Sequence, residues 1–199
     1  SADTALYRAK SDGRATYRFF EQSMDAKIRD RRALETELSK ALANEEFEVV
    51  YQPLVSIRDR EIVGFEALLR WRNAARGLVL PSVFIPVLEE IGLINELGAW
   101  AIQDALATLG RWTGEGLVGA SATMSVNVSP RQFAEARFVE TVKSILEETG
   151  FPADRLQLEV TEGLLLGPTP QSLRKIDALV RAGIRLAVDD FGIGYSSLV

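Results

Sequence analysis

From residue 31 the spacing of apolar positions switches repeatedly between a helical and an extended period. RRALETELSKAL sets Leu34, Leu38, Ala41 and Leu42 at helical intervals and predicts a helix. FEVVYQPLVSI and EIVGFEALLRW follow, rich in β-branched and aromatic residues, and predict two strands joined by a charged turn from Arg58 to Glu61. A connection that short makes this first pair antiparallel. Helices are expected next through PSVFIPVLEEIG and INELGAWAIQDALATLGRW, then a strand at SATMSVNVS. Ser129, Pro130 and Gln132 supply an N-cap, a first-turn proline and a capping-box partner, predicting one helix from there to Gly150 with Phe138, Val142, Ile145 and Leu146 on its apolar face. The strand RLQLEVTE, a helix opened by Thr169 and Pro170 and closed at Gly183, and the strand IRLAVDD complete the series.

Strands alternating with helices indicate parallel β/α units, which form either an open doubly wound sheet or a closed (β/α)8 barrel. Polar residues on the strands favour the barrel. Ser125, Asn127 and Ser129 share one strand face, as do Gln157, Glu159 and Thr161, and Glu66 and Arg70. A sheet covered by helices on both sides gives such a face no water. A barrel accepts polar side chains at the C-terminal mouth of its strands, where active sites of that fold gather. Asp189, at the end of the fifth expected strand, belongs to the same set.

Composition narrows the chemistry. The 199 residues include no histidine and no cysteine, which removes the Ser-His-Asp arrangement, His-ligated zinc or iron, disulfides and thiolate chemistry. Catalysis is left to carboxylates, amides, Lys and Arg. A net charge of −5 supplies no basic excess for DNA or RNA. No apolar run reaches the roughly 20 residues of a membrane helix, and SADTALYRAK lacks the plan of a signal peptide, so a cytoplasmic module is expected, either free or as the cytoplasmic part of a membrane-anchored protein.

Glu66, Asn127, Glu159 and Asp189 would meet at one barrel mouth from four strands. Four oxygen donors without nitrogen or sulfur describe a Mg²⁺ or Mn²⁺ site, and three carboxylates brought together bare would repel. Asp190 comes next. Neighbouring strand residues point oppositely, so it reaches the same region only if the backbone turns, and Phe191-Gly192-Ile193-Gly194 supplies a turn. Two carboxylates splayed at one strand end can bridge two metals, an arrangement that activates water in phosphoryl displacement. Taken singly, each residue has a plainer reading: a solvated Asp-Asp turn, a satisfied strand-end amide, a glutamate paired with arginine.

The motifs FEALLRW, YQPLVSI, SVNVSPRQF, LEVTEG and DDFGIGYSSL, in this order, resemble the EAL domain of cyclic di-GMP phosphodiesterases. The resemblance covers about residues 30 to 199, and ADTALYRAKSDGR with ATYRFFE is similar to the end of a GGDEF, or diguanylate cyclase, domain. It implies a GGDEF remnant over 1–20, a helical linker over 21–32 and the N-terminal part of an EAL domain over 33–199. The implied fold is an EAL-type TIM (β/α)8 barrel with its first strand antiparallel, of which five of eight strands are present. The implied activity is hydrolysis of cyclic di-GMP to linear pGpG by Mg²⁺- or Mn²⁺-activated water, with control through an EAL homodimer.

Carried over by residue, Glu66, Asn127, Glu159 and Asp189 match metal ligands and Asp190 the acid serving a second metal, with Glu66, Asp189 and Asp190 catalytic. Gln52, Leu68 and Arg70 match the nucleotide site, and Glu162 matches a glutamate that holds the DDFG loop. Ile193 departs from the family's usual threonine. The family's later lysine, glutamate and glutamine lie beyond this chain, so the resemblance implies an incomplete and inactive site in this piece alone. A catalytically silent cyclic di-GMP receptor, a dimerisation piece built on INELGAWAIQDALATLG, and a different Mg²⁺ barrel enzyme are the other readings.

Overall fold

The computed structural model describes residues 22–166 and 169–189, and the chain divides into two compact units, Ser1–Asn44 and Glu45–Val199. Residues 1–20, Asp190 and the glycine turn with Ile193 lie outside the described residues. In the first unit, helix α1 (Gln22–Ala41) is continuous through the stretch read as a linker and the helix RRALETELSKAL. Leu34, Leu38 and Ala41 form its buried stripe at i, i+4 and i+7, and Arg31 pairs with Glu35 one turn apart at 3.6 Å.

The second unit opens with the expected antiparallel hairpin of β1 (Phe47–Val55) and β2 (Ile62–Asn73), paired from Phe47 opposite Trp71 onward, with an irregularity at Leu54/Val55. Arg60, at φ 59°, turns the chain between them, and the Ser56 N–H donates to the Glu61 carbonyl at 2.9 Å. A sixth strand escaped the sequence reading. β3 (Gly77–Val79) folds back on β2, and three residues are too few to display an alternating pattern. Helices α2 (Pro81–Ile91) and α3 (Ile94–Gly114) follow, separated at Gly92, whose φ of 80° ends α2.

The remaining strands are β4 (Thr123–Val128), β5 (Leu156–Thr161) and β6 (Arg185–Asp189), and the sheet runs β1-β2-β4-β5-β6 with β3 beside β2. The pairs β2–β4, β4–β5 and β5–β6 are all parallel. The single helix expected from Ser129 to Gly150 is two. α4 (Pro130–Ala134) begins at Ser129, whose hydroxyl accepts from the Gln132 N–H, and α5 (Phe138–Thr149) starts after a break at 135–137. The reason is geometric: five residues advance a helix by about 500°, so Phe133 and Phe138 of one continuous helix would point about 140° apart. The break brings both into one core, with ring centroids 5.5 Å apart. A helix α6 (Glu162–Leu166) follows β5 directly, and α7 (Pro170–Arg181) is closed at its start by a capping box between Thr169 and Ser172.

The core lies on one side of the sheet. Phe65, Ala67, Met124, Val126, Leu156, Leu158 and Val160 point to it at two-residue intervals and meet Ile102, Leu106 and Leu109 of α3, Val142 and Ile145 of α5 and Leu179 of α7. Tyr51 packs at its margin, edge-on to Trp112 at 5.1 Å, and donates its hydroxyl to Asp104 Oδ2 at 2.7 Å. Helices on one face of parallel strands form the wall of a barrel, as expected, whereas a doubly wound sheet has them on both. Among the described residues no helix is long and apolar enough to cross a membrane.

Candidate active site

The face away from the helices carries the polar residues singled out in the sequence, in positions set by strand register. Glu66 pairs with Ser125, Ser125 with Gln157, Asn127 with Glu159, and Thr161 with Asp189. Because side chains alternate, these residues all project from one face. Glu66, Asn127, Glu159 and Asp189 therefore form a diagonal across four adjacent strands, each pair either level or one two-residue step further toward the strand ends. Diagonals of this kind follow from the stagger that lets tilted strands curve into a barrel.

Two amides stitch the row together. Asn127 Nδ2 donates to Glu66 Oε1 at 2.8 Å, and Gln157 Nε2 reaches Ser125 Oγ at 3.0 Å and Glu159 Oε1 at 3.2 Å. Ser125 is fully buried beneath this layer, while Asn127 is exposed and Glu66, Glu159 and Asp189 are half-buried. An amide offers an N–H donor and an oxygen acceptor at once, so Asn127 can steady Glu66 and still serve a cation as a neutral oxygen ligand. Oxygen-only donors of this kind suit a hard divalent cation. Among the described residues no three acidic side chains converge on one point. The fit therefore rests on donor type and shared face, and Asp190 lies outside the described residues.

Gln52 stands opposite Glu66 in the hairpin register and is exposed. Leu68 and Arg70 follow Glu66 on the same face, and Arg70 Nη1 donates to the Leu69 carbonyl at 2.8 Å. Glu162 is buried at the first position of α6, straight after β5. The loop it was expected to hold is outside the described residues.

Two features went unread in the sequence. Gln157 was placed on the polar face but given no task, yet it orients Glu159. A cavity of about 300 Å³ adjoins the diagonal, where Leu68, Asn127, Glu159 and Asp189 meet Pro81, Ile85 and Glu89 of α2. The sequence marked PSVFIPVLEE only as a helix, and nothing local to it shows which turn borders a gap.

The family model described as EAL domain matches residues 35–199. An uncharacterized signaling protein of Caulobacter vibrioides is 43% identical over 198 residues, covering 100% of this chain and 24% of that protein. The bifunctional diguanylate cyclase/cyclic di-GMP phosphodiesterase MucR of Pseudomonas aeruginosa is 37% identical over 199 residues, covering 100% of this chain and 29% of its own. Among solved structures, the PaMucR phosphodiesterase in complex with c-di-GMP superposes with a TM-score of 0.78 at 35% identity, over 83% of this chain and 66% of that one. The chain spans about a quarter of the length of the first curated relatives it matches. With parallel β/α units running from β2 through β4 and β5 to β6, an oxygen-rich diagonal at their strand ends and a family match over most of its length, the chain belongs to the EAL domain family.

Proposed function

We propose that this chain is the N-terminal part, residues 33–199, of an EAL domain that hydrolyses cyclic di-GMP to linear pGpG with Mg²⁺ or Mn²⁺. The observation that carries the reading is the diagonal of Glu66, Asn127, Glu159 and Asp189 on one polar face, tied by the 2.8 Å bond from Asn127 to Glu66. The relative MucR, named as a cyclic di-GMP phosphodiesterase, and the c-di-GMP complex of PaMucR support the substrate.

In this reading Glu66, Asn127, Glu159 and Asp189 hold the cation, and Asp190 serves a second one. A divalent cation held by these residues would supply acidification of a coordinated water toward neutral pH. The chain's own residues do the rest. Gln157 orients the Glu159 carboxylate through its amide. Arg70 exchanges the Leu69 carbonyl for a phosphate group, to two oxygens of which its planar fork donates charge-assisted bonds. Leu68 gives the nucleotide an apolar wall where the cavity opens, and Gln52 lies across the hairpin from Glu66 within reach of the same ligand. Glu162, buried at the start of α6, keeps the loop-holding role that the family resemblance implies.

Chromatography of cyclic di-GMP incubated with the full-length protein and Mn²⁺ tests this. Linear dinucleotide from the wild type and none from Glu66→Gln is the expected result. Nucleotide binding without product from the wild type would replace the enzyme by a silent receptor, and full turnover by Glu66→Gln would remove the metal assignment.

A further inference from the structure

Lys175 is a buried cation outside the diagonal. It sits on α7 with 7% of its surface exposed, and its Nζ donates to the carbonyls of Phe133, Ala134 and Glu135 at 2.7, 2.9 and 2.6 Å. These are the last carbonyls of α4 and the first of the break that follows it. Helix ends leave such carbonyls without intrahelical partners, and a cation there also meets the negative end of the helix dipole. The ammonium stands 5.7 Å from the Phe133 ring centroid as well. An ammonium has three N–H donors, and all three are used, so Lys175 has none left for a ligand in the open space beside it between α4 and the start of α7.

The object so held is a helix of five residues, too short to persist on its own propensity. Its N-terminus is tied by Ser129 and its C-terminus by Lys175. Ser129 is two residues past Asn127, and Ser129, Pro130 and Gln132 all line the cavity beside Leu68 and Glu159. α4 therefore determines where β4 ends and how the backbone after Asn127 leaves the sheet. α7, the element that carries Lys175, leads directly into β6 and Asp189. One side chain thus couples the segment behind Asn127 to the helix that precedes Asp189.

We propose that Lys175 is a positioning residue for the cation site: its three bonds to the end of α4 hold the segment Asn127 to Gln132 in the arrangement that presents the Asn127 amide. The proposal rests on the metal assignment made above. Burial lowers the Lys175 pKa, and the charges of Glu135 and Glu140 oppose that shift.

The test is Mn²⁺ binding by isothermal titration calorimetry, without nucleotide, on the wild type, Lys175→Met and Lys175→Gln, with a thermal melt of each. Methionine keeps the length and removes every donor; glutamine retains two donors on a shorter side chain. Lys175→Met should bind Mn²⁺ at least five-fold more weakly, with Lys175→Gln in between, at a temperature where both are folded. A lower melting temperature with wild-type Mn²⁺ affinity would make Lys175 a structural cap only and overturn the proposal. If Lys175→Met does not fold, Lys175→Gln decides: two-fold or greater weakening supports the proposal and wild-type affinity overturns it. A wild type that takes up no Mn²⁺ overturns the metal reading itself, and this inference with it.

Discussion

Replacing Asn127 by aspartate changes one donor atom at the centre of the diagonal and nothing of its shape. In the wild type Asn127 Nδ2 donates to Glu66 Oε1 at 2.8 Å. In Asn127→Asp that donor becomes a carboxylate oxygen facing another. The lost hydrogen bond is worth about 0.5–1.5 kcal/mol in an ordinary setting, and the exposure of Asn127 favours the lower end. Two like charges about 4 Å apart repel by about 1 kcal/mol in water and about 4 kcal/mol at an effective dielectric near 20. Glu66 is only half-buried, so solvent screening again selects the lower figure. The sum is about 1–2 kcal/mol, a fall of roughly 2–8 °C in melting temperature for a protein of this size.

Thermal unfolding followed by circular dichroism at pH 7 in EDTA measures it directly. Repulsion raises the folded-state pKa of the acid pair above its unfolded value. Protonation then favours the folded state, so the deficit against wild type should shrink as pH falls toward 4 and grow as pH rises. Added Mn²⁺ should recover more stability in Asn127→Asp than in the wild type, because the cation neutralises the added charge. Wild-type stability in EDTA at pH 7, or a deficit equal at pH 7 and pH 4, would refute the juxtaposition of these two side chains.

Leu158→Ala, at a fully buried position beside Met124, Val126 and Val160, should cost about 2–5 kcal/mol and lower the urea midpoint without changing the denaturant slope. Tyr51 gives a prediction at the alkaline end. Burial raises its pKa well above the ordinary 10, aided by its bond to Asp104, so the folded state keeps a proton that the unfolded state loses. A raised folded pKa contributes stability below pH 10 that is lost as pH rises past it, and wild-type stability should therefore decline more steeply above pH 10 than that of Tyr51→Phe. Parallel curves for the two proteins in alkaline urea titrations would contradict the buried phenol.

The sequence exposed most strongly what repeats at short range. Alternation in SVNVS and LQLEVTE placed Asn127 and Glu159 on one face, and register then set them level across two strands. Thr169-Pro170 marked the start of α7 because a cap acts within three residues. What escaped depends on distant partners. The break in 135–137 has no glycine or proline to announce it; it exists because Phe133 and Phe138 share a core and because Lys175, some forty positions later, donates to the carbonyls it frees. Gln157 could be assigned to a face but not to Glu159 and Ser125 until the strands were paired. β3 carries its pairing information in β2, not in its own three residues.

Core and site interleave along single strands: Val126, Asn127 and Val128 alternate within three residues of β4, as do Leu158, Glu159 and Val160 on β5. Point substitution and chain-length change consequently have different reach here. Varying positions 66, 127, 159 and 189 leaves every helix-facing side chain in place, so the polar layer is open to recombination and library design without a loss of packing. Inserting or deleting a single residue within β4 instead exchanges the two sets at a stroke, pointing the Asn127 amide at Leu106 and a valine into the cation row. The lineage of such a strand should therefore record few length changes, with insertions confined to the turns at either end.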